Sequence, residues 1–485
     1  MFDKKDIYEN VSALVDSKKE KFLKVSDEIW DYAETRFEEF KSAECLANAL
    51  EDEGFSVERN SCNIETAFVG TWGKGSPVIG FLGEYDALSG LSQKAGEIVK
   101  SPIVDGTPGH GCGHNLLGAG ALMAAVALKD YFAKNNLPGT VKYFGTPGEE
   151  GGSGKTYMVR DGAFDGVDIC FTWHPGGENN ITILSSLANI QAYFKFKGKS
   201  AHAAGSPENG RSALDAVELM NVGSNYLREH VPTTSRFHYA VVNTGGTAPN
   251  VVQAEAEVLY LVRAPKIGQA KNIYERICNI ARGAALMTET QLEINFDKAC
   301  SNYIPNIELS TLMYEVMQAI GPTAFNDADK AMAEKLRATL SDDEKNKTIG
   351  KTNNIADWQA VEEIAEGKVL SDFIYPYHPE LKDVSSPGST DVSDVSWVVP
   401  TAQFNWSTAP RNTSAHTWQW VSIGKSPIAH KGTASAAKVM AATAVLAYNN
   451  PEIIEKAKAE LKKLHEKTPY ENPIPKDVRP KPLNK

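Results

Sequence analysis

Three short apolar segments, each followed by polar side chains, constrain the fold of this chain more than any other feature. They are PVIGFLGEYDAL at 77–88, TVKYFGTPGEE at 140–150 and VDICFTWH at 167–174, with a helical stretch at 116–132 between the first two. Buried strands that alternate with helices are typical of a mostly parallel α/β sheet. Because ligands gather at the carboxyl ends of such strands, we expect the polar side chains there to form a site.

The rhythm changes from about Ala188, where strand, helix, strand, strand, helix and strand follow one another. The order βαββαβ predicts a ferredoxin-like unit. We interpret 188–304 as an inserted lid or dimerisation domain that divides a catalytic domain into 1–187 and 305–485. Within the last part, the charged stretch 326–368 predicts a helical surface insertion.

Charge and composition limit the partners of the chain. With a net charge of -11 over 485 residues it has no broad basic surface, so we expect no nucleic-acid partner. The first residues lack a secretory signal pattern, and the apolar runs near 116–128 and 434–446 are too short for a bilayer span. We therefore expect a cytoplasmic protein without a membrane partner. Six scattered cysteines indicate free thiols rather than a disulfide framework.

The densest group of ligand-type side chains is GHGCGHN at 109–115, which opens onto the predicted helix. Its glycines let the backbone bend until Cys112 and His114 converge. A thiolate and an imidazole two residues apart suit a borderline ion such as zinc. The alternative is a glycine-rich turn with a buried thiol.

Two adjacent acids in PGEEGGSGKT at 147–156 follow the second apolar segment. One carboxylate can bind a metal ion while its neighbour remains free as a general base. The alternative is a phosphate loop, because GGSGKT resembles the end of G-x-x-x-x-G-K-[ST]. However, Glu149 stands five positions before Gly154 where that motif needs glycine, and two acids would repel phosphate.

Three histidines are candidates for the remaining ligand positions. His174 ends the third apolar segment, and its place among the other strand ends favours ligation over a core role. Ser426 and Pro427 predict a helix start, which places His430 in the first turn and His416 in the preceding loop. Because ligands on a rigid scaffold are commonly loop residues, we prefer His416 as ligand and predict that His430 lines the pocket.

Two further side chains have both an ordinary and a functional interpretation. Asp86, in GEYDALSG, either caps a turn or accepts a hydrogen bond from a ligating imidazole. His202 stands in a small-residue loop before a helix, where the pattern alone indicates a solvated histidine.

Taken together, HGCGHN, GEEGGSGKT, WHP, KGKSAHAAGSPENGRSALDAVELM and SIGKSPIAHKG resemble the dinuclear metallo-aminoacylase and carboxypeptidase family. The resemblance runs from residue 29 to the last helix. It implies a metal-dependent amidohydrolase with two zinc or manganese ions, which cuts an N-acyl amino acid beside its free carboxylate. It also implies a lid that dimerises. The alternatives are a dipeptidase of the same family and a non-catalytic subunit of a paralogous hydrolase.

The resemblance also implies a role for each candidate residue. The implied metal ligands are Cys112 as the bridging thiolate, His114 and Glu150 on one ion, and His174 and His416 on the other. Glu149 would be the general base, and His202 of the lid would stabilise the oxyanion, often in a partner chain. Asn250 and Arg263 would contact the substrate carboxylate. A homodimer, or a heteromer with a paralogous subunit, is the expected assembly.

Two positions depart from the family pattern. Many relatives have aspartate where this chain has Asn115, and histidine where it has Glu84. A complete ligand set with an intact base nevertheless argues against the non-catalytic alternative. Which groups orient His114 stays open.

Overall fold

The structure is a computed structural model, which describes residues 3–347 and 358–483. Its strands are β1 (Ser56–Arg59), β2 (Phe68–Lys74), β3 (Val78–Gly83), β4 (Gly139–Gly145), β5 (Ile169–Gly176), β6 (Asn180–Ile181), β7 (Ala188–Lys197), β8 (Arg236–Asn243), β9 (Glu255–Ala264), β10 (Gln291–Cys300) and β11 (Thr401–Ser407). Its helices are α1 (Lys4–Tyr32), α2 (Phe40–Asp52), α3 (His114–Lys134), α4 (Glu149–Gly152), α5 (Gly154–Arg160), α6 (Ala213–Leu227), α7 (Ile267–Thr288), α8 (Ile307–Ile320), α9 (Asp327–Arg337), α10 (Asp342–Lys345), α11 (Trp358–Ala365), α12 (Val392–Val398), α13 (Trp418–Ile423), α14 (Pro427–Asn449) and α15 (Pro451–His465).

The larger sheet has the strand order β1-β2-β4-β3-β5-β11-β6. Its centre, β4-β3-β5-β11, is parallel, whereas β1, β2 and β6 pair antiparallel at the edges. In β3, Phe81 belongs to the apolar core that contains α3 and α14, and Leu82 belongs to the core on the other side with α5. Burial on both faces explains why these strands are continuous apolar runs. The predicted mostly parallel sheet is confirmed.

Helix α3 lies in the core beside β3. By length and composition it could cross a membrane, but 89% of its apolar window is buried inside the protein. Its glycines allow close packing on the sheet: a Cβ at Gly118 would lie 2.6 Å from the carbonyl oxygen of Glu84. The start of α3 is therefore held directly against the end of β3.

The second sheet has the order β10-β7-β9-β8, and all its pairings are antiparallel. Along β9, alternate side chains such as Val258 and Val262 are buried, and they share an apolar cluster with Val217 of α6 and Ile277 of α7. The predicted βαββαβ unit is confirmed. The domain limits at 188 and 304 remain a prediction.

The charged stretch 326–368 contains α9, α10 and α11, although residues 348–357 of it lie outside the described residues. Asn326 and Asp329 cap α9 reciprocally. Ala333 and Leu336 bury one face of α9 against Trp420 and its neighbours. The described part is therefore a helical surface element with a packed apolar face.

Candidate metal centre and active site

The carboxyl ends of three neighbouring parallel strands carry the predicted acids and one histidine. Gly83 at the end of β3 pairs with Gly145 at the end of β4, so the residues that follow them leave the sheet at the same edge. Glu84 and Asp86 follow β3, and α4 follows β4. His174 lies on β5, next to β3. The strand ends thus gather these side chains as the sequence predicts.

The GHGCGHN turn brings in two more candidates. Gly113 adopts a left-handed φ of 79° at the N-terminus of α3, a conformation that favours glycine. The turn places Cys112 beside the third strand end, with its Sγ 3.5 Å from Nε2 of His174. His114 is fully buried in the first turn of α3.

His114 lies between two carboxylates. Its Nδ1 is 2.9 Å from Oδ1 of Asp86, and its Nε2 is 3.2 Å from Oε2 of Glu84. Burial alone would lower the pKa of His114, but the Cys112, Asp86 and Glu84 charges raise it well above its ordinary value. Asn115 instead donates to Oγ of Ser26 in α1, so Asp86 and Glu84 are the groups that orient His114.

Asp86 also reaches the turn that carries the two acids. Its Oδ2 accepts a hydrogen bond of 2.7 Å from the backbone N–H of Glu150, while its Oδ1 is in contact with His114. One carboxylate therefore links two candidate ligands. Such links hold metal ligands in orientation.

His416 completes a second group of ligand atoms. Its Nε2 is 2.9 Å from Oε1 of Glu150, and its backbone N–H donates to the carbonyl oxygen of Gly111. It has a left-handed φ of 65°, a conformation that non-glycine residues adopt at a cost and that is found at functional sites. Burial would raise the pKa of Glu150, but the His416 hydrogen bond and the His114 charge lower it to about 2.

The donor atoms fit divalent ions. Those of Cys112, His114 and His174 lie within 4.8 Å of one another, and so do those of Cys112, Glu150 and His416. Nε2 of His114 is buried without a hydrogen bond, as a nitrogen that faces an ion would be. Sulfur, nitrogen and carboxylate donors together suit zinc, and imidazole and carboxylate suit manganese.

Glu149, by contrast, has no ion pair among the described residues and lines the cavity. Burial, followed by the negative charges of Glu84, Glu150 and Asp391, raises its pKa well above the ordinary value. A carboxyl group that holds a proton beside a cavity is suited to proton transfer.

Sequence reasoning missed a buried ion triad behind the site. Nζ of Lys155 lies 2.7 Å from Oε1 of Glu84 and 2.7 Å from Oδ1 of Asp391. All three side chains are at most 2% exposed, and a charge at that depth must be paired. The GGSGKT stretch was the available signal, but the lysine neutralises carboxylates instead of binding phosphate.

A cavity of about 470 Å³ opens from the candidate ligands. Its far wall, which sequence reasoning also missed, combines aromatic, aliphatic and amide side chains, among them Ile181, Ile183, Tyr303, Tyr375, Gln403 and Asn405. Sites of this size and mixed lining are typical of small-molecule binding.

The structure does not bring three predicted lid residues to this cavity. His202 is exposed, and its Nδ1 accepts hydrogen bonds from the backbone of the next residues in its own loop. Asn250 is also exposed in the lid. Nη1 of Arg263 contacts the carbonyl oxygen of Pro387 at 3.4 Å, in a groove beside the cavity.

His430 corrects a prediction. It stands in the first turn of α14, as expected, but its Nε2 pairs with Oδ1 of Asp27 in α1 at 2.8 Å. It therefore supports the contact between two helices and does not line the pocket. His110 is likewise outside the ligand set: its Nε2 pairs with the carbonyl oxygen of Ile29, and burial lowers its pKa to about 3.

Comparisons with known proteins agree with this geometry. A profile of peptidase family M20/M25/M40 matches residues 80–476. The chain is 47% identical to one of the subunits of p-aminobenzoyl-glutamate hydrolase from Escherichia coli (strain K12), over 99% of each chain. It is 28% identical to the Xaa-Arg dipeptidase of Mus musculus, over 92% of this chain and 90% of that one. A solved dinuclear metal-binding peptidase of the M20 family from Bacillus subtilis shares the fold, with a TM-score of 0.52, 16% identity and coverage of 89% and 99%.

Proposed function

The chain belongs to peptidase family M20/M25/M40 and is an amide-bond hydrolase, and we propose from this that it uses two divalent ions to cut an N-acyl amino acid. The observation that carries the proposal is Cys112, whose sulfur belongs to both groups of ligand atoms. One ion would be held by His114 and Glu150, and the other by His174 and His416. Zinc or manganese fits these donors.

Within this site, Glu149 is the group free to move a proton. Ions at these ligands would lower the pKa of a water molecule and polarise the scissile carbonyl. Glu149 accepts the proton of the attacking water and later delivers it to the leaving amine nitrogen. Its raised pKa favours the protonated state that this second step needs.

We propose p-aminobenzoyl-glutamate as the substrate, with p-aminobenzoate and glutamate as products. The 47% identity over the full length to a hydrolase named for that compound supports this choice. The tyrosine and isoleucine wall of the cavity is suited to an aromatic acyl group. Arg263, in the adjoining groove, would bind a carboxylate of the glutamate half after the lid closes.

A second chain would complete the site. His202 and Asn250 lie on the lid away from the cavity, and β8 is an edge strand of the lid sheet. Val241 and Val242 of β8 and Tyr226 of α6 are exposed apolar side chains of the lid. An exposed apolar edge strand is suited to pairing with another chain. We propose a homodimer through this surface, with an A-type subunit, a paralogous hydrolase chain, as the alternative partner.

The deciding experiment follows p-aminobenzoate release by the purified chain loaded with manganese or zinc, beside a chelated sample. We expect release only with metal, and about two ions per chain. Faster turnover of Xaa-Arg dipeptides would replace the proposed substrate with a dipeptide. Activity that appears only after an A-type subunit is added would make this chain the supporting subunit.

The Glu149→Gln variant is the matched control, since it keeps every ligand. If it binds the ions but does not turn over, the loss belongs to proton transfer. A cytoplasmic location remains part of the proposal, and fractionation of the native host tests it.

A further inference from the structure

A short segment after α1 lies over the turn that carries Glu149 and Glu150. Nη1 of Arg36 donates a hydrogen bond to the carbonyl oxygen of Gly151. The ring of Phe37 fills the space beside the turn, where a Cβ at Gly152 would come within 2.8 Å of it. The turn is therefore covered and held by side chains from outside the large sheet.

The turn needs such support because its own backbone is irregular. Gly148 and Gly151 have left-handed φ values of 66° and 81°, and Ser153, which is not glycine, has a φ of 60°. Glu150 has a ψ of 85°, outside the helical range. A segment of this kind keeps one conformation only when its surroundings hold it.

Arg36 is held in turn by the lid sheet. Its Nη2 lies 3.2 Å from Oδ1 of Asp297 and its Nη1 lies 3.3 Å from Oδ2, so the contact has two points. The two side chains are 3% and 5% exposed. One guanidinium group thus contacts both the catalytic turn and strand β10.

Asp297 stands at an irregularity in β10. The register with β7 shifts between Phe296 and Lys298, which leaves Asp297 as the extra residue of a bulge. Bulges re-aim side chains and occur next to active sites. Gln191 of β7 donates to Oδ2 of Asp297 at 2.6 Å, and Tyr157 of α5 donates to its carbonyl oxygen at 2.8 Å. The bulge therefore has a defined position on both sides.

We propose that Arg36 is a positioning residue that couples the orientation of the lid sheet to the turn bearing Glu149 and Glu150. A movement of β10 at Asp297 pulls on the guanidinium group and, through it, on the carbonyl of Gly151. Closure of the lid on a substrate would thereby adjust the base and one ligand together. This inference rests on the proposed function for the roles of Glu149 and Glu150.

The test variant is Asp297→Asn, which changes the lid and leaves the contact between Arg36 and Gly151 in place. We expect amide hydrogen exchange at 148–152 to speed up about tenfold in the metal-free chain, while exchange elsewhere in the large sheet is unchanged. In the loaded enzyme, kcat should fall by about tenfold or more with a much smaller change in KM.

A double-mutant cycle with Arg36→Lys separates coupling from independent structural roles. Lysine keeps the charge but cannot bridge both partners with a planar fork. We expect the double variant to lose no more kcat than Arg36→Lys alone, because both changes break one chain of contacts. Additive losses would overturn the proposal.

Glu293→Gln is the matched control, since Glu293 lies on the same strand and pairs with Lys197 at 3.1 Å on the surface. It should leave both exchange and kcat unchanged. If Asp297→Asn leaves the exchange at 148–152 unchanged, or raises exchange uniformly, Arg36 does not couple the two regions. The exchange readout needs no turnover, so it stands even if p-aminobenzoyl-glutamate proves not to be a substrate.

Discussion

The rim of the parallel sheet and the lid sheet present their functional side chains in opposite ways. At the rim, His114, Asp86 and Glu84 are buried and contact one another directly. In the lid, His202 and Asn250 are exposed and bonded only within their own loop region. The rim is therefore organised within one chain, whereas the lid residues need closure or a second chain to reach a substrate.

The largest effect is expected at the rim, for Glu149→Gln. Because the amide cannot accept the proton of the attacking water, kcat should fall by about a hundredfold to ten-thousandfold. Elemental analysis should find the same ion content as in the unchanged chain. Retained turnover would remove Glu149 from the reaction and weaken the contrast between the two regions.

His202→Ala tests the lid side of the comparison. If His202 stabilises the oxyanion, kcat should fall by about a hundredfold. If it does so in a partner chain, mixing His202→Ala with Glu149→Gln should restore about a quarter of the activity, because half of the random dimers would hold one complete site. No recovery after verified subunit exchange would place His202 in its own chain's site or outside any site.

Asp86→Asn should have a smaller effect at the rim. It weakens the acceptor for His114 while nearly keeping the shape of the side chain. We expect metal affinity, measured by competition with a chelating dye, to fall by about tenfold to a hundredfold. The control is Asp27→Asn, which removes the partner of His430 and should leave metal affinity unchanged.

The smallest effect concerns Asp394, which lies between the two regions. It accepts hydrogen bonds from Ser301 after β10 and from Thr156 of α5, and burial raises its pKa to about 6 from 3.8. Since the folded state holds the proton more tightly, this contribution to stability is present at low pH and is lost as the pH rises through about 6.

Urea unfolding of the unchanged chain and of Asp394→Asn should therefore diverge with pH. Between about pH 5 and about pH 7.5 the difference in unfolding free energy should move by about 1.4 kcal/mol in favour of the variant. A difference independent of pH would mean that Asp394 is ionised throughout, and that its hydrogen-bond donors outweigh burial.

Local sequence patterns determined the parts of this protein that depend on neighbours along the chain. The apolar runs of β3, β4 and β5 predict a parallel sheet, and parallel strands must end at one edge. For that reason Cys112, Glu150 and His174 could be assigned to one site from the sequence. The βαββαβ order follows from pattern in the same way.

Only the tertiary structure decided the contacts between residues that are far apart in sequence. The pairing of Lys155 with Asp391, of Arg36 with Asp297 and of His430 with Asp27 joins positions whose separations are 236, 261 and 403 residues. No periodicity or motif encodes such a pair, because each charge is placed by the packing of whole elements. The depth at which a charge is buried, and hence the partner it requires, exists only once the sheets and helices have closed around it.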